Sequence, residues 1–163
     1  MRRTVRHQRV AMEWNALVPE LVVADYARSK AFYVDVFGFS LRFERPENKF
    51  GYFDLGGAQI MLLEDTNRPI YQMHRAGPKG KGRHFQVEIP SIAGILERLD
   101  KASVPLASEV VESWYRQDTV LHGQREFFVA DPDGYLYRFY EYIGERCLAN
   151  GEQDARRDSV LDV

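Results

Sequence analysis

Cysteine is almost absent from this chain of 163 residues: Cys147 stands alone, so an internal disulfide is excluded. A lone thiol fits a reducing compartment, and we expect a cytoplasmic protein. No apolar run approaches the roughly 18 residues of a membrane-spanning helix, so no membrane partner is expected. A formal net charge of only −2 gives no support to a nucleic-acid partner. A Gly-x-Ser-x-Gly motif is missing too, which leaves serine-nucleophile chemistry without support.

Two alternating aromatic and aliphatic runs near the end of the chain flank the tetrapeptide Asp131-Pro132-Asp133-Gly134. The proline fixes φ at the second turn position, and the glycine can adopt the positive φ that closes the turn. The stretch 127–141 is therefore predicted to be a β-hairpin.

The first half of the chain predicts the element order β-α-β-β-β. Asp25 is a suitable N-cap for a helix that continues to Phe37, and Gly38 is a typical residue to end it. Gly56-Gly57 joins two alternating runs, which predicts another hairpin. The predicted elements are a strand at 17–23, the helix at 25–37, and strands at 39–44, 50–55 and 58–63.

A second half repeats this order after a loop at 64–82 that is rich in Gly, Pro and Lys. A strand at 84–89, a helix at 91–102 and an extended segment at 106–111 are predicted before the final hairpin, with 113–116 as a loop or irregular strand. The fold class is therefore predicted as α+β with two βαβββ repeats, at about 16–64 and 83–143. One domain, 16–143, is expected between an N-terminal tail at 1–15 and a C-terminal tail at 144–163.

Three motifs at turns and helix ends accompany this element order. They are Asp25-Tyr26-Ala27-Arg28-Ser29-Lys30-Ala31-Phe32-Tyr33 leading to Phe37-Gly38-Phe39, Asp54-Leu55-Gly56-Gly57-Ala58, and Asp131-Pro132-Asp133-Gly134-Tyr135. Together they resemble the vicinal oxygen chelate superfamily over residues 17–142. That superfamily includes glyoxalase I, extradiol dioxygenases, fosfomycin-resistance enzymes and bleomycin-resistance proteins. Trp114-Tyr115-Arg116, followed by the run at 125–139, is most similar to the bleomycin-resistance branch.

The resemblance implies that each half curls its sheet and that the two sheets close around a groove. Because side chains alternate along a strand, one face of each strand points into that groove. His84, Gln86 and Glu88 share the polar face of their strand, and we expect this face in the groove. Alternation likewise directs Glu20, Met61 and Arg138 inward from three other strands.

The metal enzymes of the superfamily place four ligands on these faces. The corresponding positions here are occupied by Val18, Met61, His84 and Arg138. Only His84 could bind a first-row divalent ion, because valine has no lone pair, a thioether is a poor ligand for hard ions and a guanidinium repels a cation. We therefore expect no metal, no other cofactor and no catalytic residue.

Without a metal site, the chain most resembles the bleomycin-resistance proteins. This resemblance implies a homodimer whose grooves bind and sequester a small aromatic or cationic molecule, such as bleomycin, without a reaction. Flat side chains would stack on rings, and carboxylates would meet cationic groups. The candidate ligand-binding residues are Glu20, Phe39, Tyr52, Met61, His84, Gln86, Glu88, Trp114, Tyr115 and Arg138.

Several alternatives stay open. The protein could be a metal-dependent glyoxalase- or dioxygenase-type enzyme with displaced ligands, such as His84 with Glu20 or Glu88. Arg138 could instead form an internal ion pair with one of those two glutamates. His74, His84 and His122 could converge on an unorthodox metal site. The ligand could also be another small metabolite.

Overall fold

The computed structural model describes residues 13–64 and 82–148, and the first of these stretches contains the first repeat. Strand β1 and helix α1 are followed directly by a π-helical segment and then by three strands. The elements are β1 (Glu20–Val23), α1 (Tyr26–Ala31), the π-helical segment (Phe32–Phe37), β2 (Ser40–Arg45), a 3₁₀ turn (Pro46–Asn48), β3 (Phe50–Leu55) and β4 (Ala58–Glu64). The order β-α-β-β-β is confirmed. The predicted loop at 64–82 lies almost entirely outside the described residues.

The second stretch repeats the order. Its elements are β5 (Phe85–Glu88), α2 (Ala93–Lys101), β6 (Val111–Gln117), β7 (Val120–Ala130) and β8 (Leu136–Cys147). Two expectations need correction. Residues 113–116 lie within the regular strand β6, and residues 144–147, predicted to begin a tail, continue β8. Pairing of Gly123 with Gly144 and of Val120 with Cys147 extends the last hairpin to its full length.

Each half forms its own four-stranded sheet, with the orders β1-β4-β3-β2 and β5-β8-β7-β6. In both sheets the first strand of the repeat lies parallel to the last, and the remaining neighbours are antiparallel. This identical arrangement confirms the α+β duplication. Among the described residues, no helix has the length and apolar character to cross a membrane.

The ends of the first helix are formed as the sequence predicts. The Asp25 side chain accepts a hydrogen bond from the backbone N–H of Arg28 at 3.0 Å, which caps α1. Gly38 ends the π-helical segment at a φ of 87°, in the left-handed region that favours glycine. From the other half, the Arg98 Nε donates to the carbonyl oxygen of Val36 at 2.8 Å. A guanidinium of α2 therefore satisfies a helix-end carbonyl of the first repeat.

The two halves share one aromatic core on the helix-bearing sides of both sheets. The Tyr33 hydroxyl donates to the buried Asp131 carboxylate at 2.8 Å and lies 3.0 Å from the Tyr137 hydroxyl. The Phe37 ring packs edge-to-face against Phe139, with centroids 5.0 Å apart. Phe39 also belongs to this core and is only 2% exposed, so its predicted role as a surface for ligand rings needs correction. It precedes β2 and packs on the core side.

Candidate functional site

The face of the second sheet that lies opposite the shared core is polar, as alternation predicts. Val87 is buried in the core, whereas its neighbours Gln86 and Glu88 are exposed. In the register of the sheet, Gln86 pairs with Arg138, and Glu88 pairs with Tyr140. This face corresponds to the predicted groove face.

Arg138 is the centre of a compact polar cluster, which we define as Gln86, Tyr115, Glu126 and Arg138. The guanidinium donates to the Gln86 side-chain oxygen and, at 3.3 Å, to the Tyr115 hydroxyl. Its Nε lies 3.5 Å from the Glu126 Oε2. The Tyr115 hydroxyl in turn donates to the Glu126 Oε1 at 2.5 Å. Burial, and next the hydrogen bond to Glu126, raise the pKa of Tyr115, so this hydroxyl remains a donor at neutral pH.

Glu126 is a functional-site residue that the sequence analysis missed. An internal ion pair of Arg138 was one of the alternatives, with Glu20 or Glu88 as the partner; the ion pair is present, but the choice of partner needs correction. The Arg138 partner is Glu126, which is only 4% exposed, while Glu88 accepts a hydrogen bond from the Tyr140 hydroxyl at 2.8 Å. Alternation along β7 contained the necessary signal, because Phe127 and Val129 lie in the shared core and Glu126 must then point to the opposite face.

Of the histidines in the described residues, His84 and His122 are not brought together. His84 is exposed and lies edge-on to Phe128, with ring centroids 5.3 Å apart. His122 instead lies near the Tyr142 ring. His122 and Phe128 are six positions apart on β7, so their Cα atoms are about 20 Å apart at the usual rise of a strand. His84, beside Phe128, is therefore far from His122. His74 lies outside the described residues. Within the described residues, no group of three or more His, Cys, Asp or Glu side chains could hold a metal.

On the first sheet, Tyr52 and Met61 belong to a second apolar cluster with Phe50, Leu63 and Val18. Glu20 lies opposite Met61 in the parallel pairing of β1 with β4. Tyr52 is completely buried, because the rings of Trp14 and Phe43 lie against it at 4.8 Å and 5.3 Å. Its hydroxyl donates to the Gln59 side-chain oxygen at 2.6 Å. Tyr52 therefore supports other rings and does not offer an open surface of its own.

Trp114 and Tyr115 are neighbours in sequence but point to opposite faces of β6. Tyr115 reaches Glu126, whereas the Trp114 ring lies over Gly123, where an added Cβ would come within 2.8 Å of the indole. The Arg146 guanidinium lies 5.0 Å from the centroid of that ring. Trp114 is thus half-buried outside the polar cluster.

The residues at the four superfamily ligand positions do not fit a metal ion. The Arg138 guanidinium donates hydrogen bonds to Gln86 and Tyr115 and forms an ion pair with Glu126. Val18 and Met61 pack in the apolar cluster on the first sheet. Only His84 offers a nitrogen lone pair, and one ligand does not make a site.

Comparison with known proteins agrees with this architecture. Residues 15–139 match the family model of the "Glyoxalase/Bleomycin resistance protein/Dioxygenase superfamily". The chain belongs to this superfamily. No curated protein matches it significantly.

Several solved structures have the same fold at low sequence identity. A fosfomycin resistance protein from Listeria monocytogenes is 18% identical with a TM-score of 0.55, over 79% of this chain and 92% of its own. A lactoylglutathione lyase from Agrobacterium tumefaciens is 23% identical with a TM-score of 0.50, over 80% and 96%. A virulence protein from Salmonella typhimurium is 18% identical with a TM-score of 0.56, over 81% and 100%. At these identities the likeness concerns the fold alone.

Proposed function

We propose that this superfamily member binds and sequesters a small aromatic, cationic molecule of the bleomycin type, without converting it. The observation that carries the proposal is the polar cluster itself. The position from which metal enzymes of the superfamily would contribute a ligand holds Arg138, whose charge is already compensated by Glu126 at 3.5 Å. A metal ion would have to displace a buried ion pair and approach a guanidinium, and both steps are unfavourable.

A groove of this kind can still bind tightly. Sequestration has no transition state to stabilise, so shape, stacking and charge complementarity suffice. The proposed ligand-contacting residues are Glu20, Met61, His84, Gln86, Glu88, Tyr115 and Arg138. Exposed Glu88, oriented by the Tyr140 hydroxyl, supplies a carboxylate for a cationic group. Phe39 and Tyr52 are not included, because they are buried under other side chains. Trp114 is not included either, because its ring lies over Gly123 on the opposite face of β6 from Tyr115.

Calorimetric titration with copper-bleomycin tests the ligand. We expect saturable binding, and Glu88→Gln should weaken it by roughly fivefold, the effect of one partly solvated charge pair. Glu97→Gln is the matched control, because Glu97 is an exposed glutamate on α2 that pairs with Lys101. Growth of a sensitive bacterium under bleomycin should improve when it expresses the protein. Absence of both binding and protection would reject this ligand.

The binding unit is proposed to be a homodimer in the cytoplasm, with each groove completed by both chains. Sedimentation equilibrium should therefore give twice the 18.9 kDa mass of the chain. The bleomycin titration should then saturate at one ligand per chain. If the protein is a monomer and still binds bleomycin at full affinity, the proposal that both chains complete the groove is wrong.

A further inference from the structure

Three aromatic rings form a surface on the first sheet that lies largely outside the predicted site; we call Trp14, Phe43 and Tyr52 the aromatic platform. The Phe43 ring stacks on Tyr52 with an interplanar angle of 15°. The Trp14 indole stands edge-on to both rings, at 73° to Tyr52 and 60° to Phe43. Trp14 is 59% exposed and Phe43 is 36% exposed. The platform therefore presents open ring surface above a buried tyrosine.

The position of Trp14 is fixed by hydrogen bonds on both sides. The backbone N–H of Asn15 donates to the Gln59 Oε1 at 2.8 Å, and the Gln59 Nε2 donates to the Glu13 carbonyl at 2.7 Å. The Asn15 side chain donates to the Gly57 carbonyl at 2.6 Å. Residues 13–15, which the sequence predicted to be part of a tail, are thus held against β4 and the turn before it. Because the residues on both sides of Trp14 are already ordered, binding a ligand at its ring costs little further backbone conformational entropy.

A ring beside the aromatic platform already binds a planar cation from the same chain. The Arg45 guanidinium lies over the Phe50 ring, 4.0 Å from its centroid. Phe50 lies next to Phe43, with ring centroids 6.0 Å apart. Electron-rich ring faces attract planar cations, and tryptophan does so most strongly of the aromatic residues. The internal Arg45 contact therefore indicates the chemistry of a partner for the neighbouring open rings.

We propose that the aromatic platform is a subsite for a planar aromatic cation, with Trp14 as its principal contact. The inference rests on the proposed function and deepens it, because it assigns the aromatic, cationic part of the ligand to residues around Trp14. Trp14 itself lies just before residues 15–139, the range that matches the family model, whereas Phe43 and Tyr52 lie within it.

A pair of isosteric probes tests the charge and the ring together. Benzamidinium and neutral benzamide are each titrated into ¹⁵N-labelled protein, and the indole N–H signals of the two tryptophans are followed. Trp14 is assigned by loss of its signal in Trp14→Ala. We expect benzamidinium to shift the Trp14 signal and to bind roughly three- to fivefold more tightly than benzamide. Trp14→Ala should remove this preference, and Trp14→Phe should keep part of it. Tyr142→Ala removes another exposed aromatic residue and should change nothing.

The outcomes separate this inference from the proposed function. If benzamidinium shifts the Trp14 indole N–H signal but the protein does not bind bleomycin, the subsite is supported and bleomycin is rejected as the ligand. If Trp14→Ala binds bleomycin as tightly as the wild type, the proposed function is supported and the subsite is overturned. Equal binding of benzamide would overturn the cation preference. Conversion of a dimer to a monomer by Trp14→Ala would identify the platform as a contact between copies of this chain and would also overturn the proposal.

Discussion

The ion pair between Arg138 and Glu126 gives the sharpest stability prediction. Arg138→Met keeps most of the aliphatic volume but removes the positive charge, so the buried Glu126 carboxylate loses its counter-charge. Breaking a buried ion pair on one side costs about 3–5 kcal/mol. We expect about 3 kcal/mol, the lower end of that range, because the Arg138 side chain is 16% exposed and Glu126 keeps the Tyr115 hydrogen bond.

The complementary substitution should cost less. Glu126→Gln retains an acceptor for the Tyr115 hydroxyl, and the remaining guanidinium reaches solvent, so we expect about 1 kcal/mol. Combining both substitutions should recover about 2 kcal/mol relative to the sum of the single effects. Urea unfolding at neutral pH, followed by circular dichroism, measures all four proteins. A cost below about 0.5 kcal/mol for Arg138→Met, or additive effects in the double variant, would refute the charge-compensated cluster.

Three further predictions concern the shared core and the helix ends. Burial raises the pKa of Asp131, so its contribution to stability is present at low pH and is lost as the pH rises through the folded-state pKa. The stability advantage of the wild type over Asp131→Asn should therefore shrink in urea titrations as the pH rises above about 4, the pKa of an unfolded Asp; an advantage that grows would contradict this. Arg98→Ala should lower the free energy of unfolding by about 1–2 kcal/mol, because two helix-end carbonyls lose a charged donor. An unchanged Tm in thermal unfolding would contradict a stabilising role for these two hydrogen bonds. Gly51→Ala should cost about 1–3 kcal/mol, because a Cβ there would overlap the Tyr26 hydroxyl and lie 2.8 Å from the Phe53 ring. Gly94→Ala, in α2, meets only the Arg98 guanidinium at 3.4 Å and should be neutral or stabilising by up to about 1 kcal/mol; equal Tm shifts for both glycine variants would refute the packing argument.

Local chemistry made much of the fold predictable from the sequence. The Asp25 cap, the end of the helix at Gly38 and the turn from Asp131 to Gly134 depend on residues within a few positions of one another. Period-two alternation also assigned Gln86 and Arg138 to the same face correctly. These features could be predicted because neither packing between the halves nor strand register was needed to define them.

The features that the sequence did not predict depend on contacts between distant parts of the chain. Glu126 meets Arg138 and Tyr115 only through the pairing of β6, β7 and β8. Trp14 reaches Tyr52 because Asn15 bonds to Gln59, which is 44 residues away in sequence. Phe39 looked available for a ligand because the side of the sheet that it faces depends on where β2 begins. Register and long-range packing decide all three placements, and a single sequence does not specify them.

Metal analysis tests the central claim of the account most directly. The protein is purified without chelators after expression in medium containing zinc, nickel, manganese and iron, and its bound metal is measured by plasma mass spectrometry. The charge-compensated Arg138 cluster predicts well below one equivalent of any of these metals per chain. One equivalent of a divalent metal, lost when His84→Ala is introduced, would contradict the claim and would make the protein a metal enzyme of its superfamily.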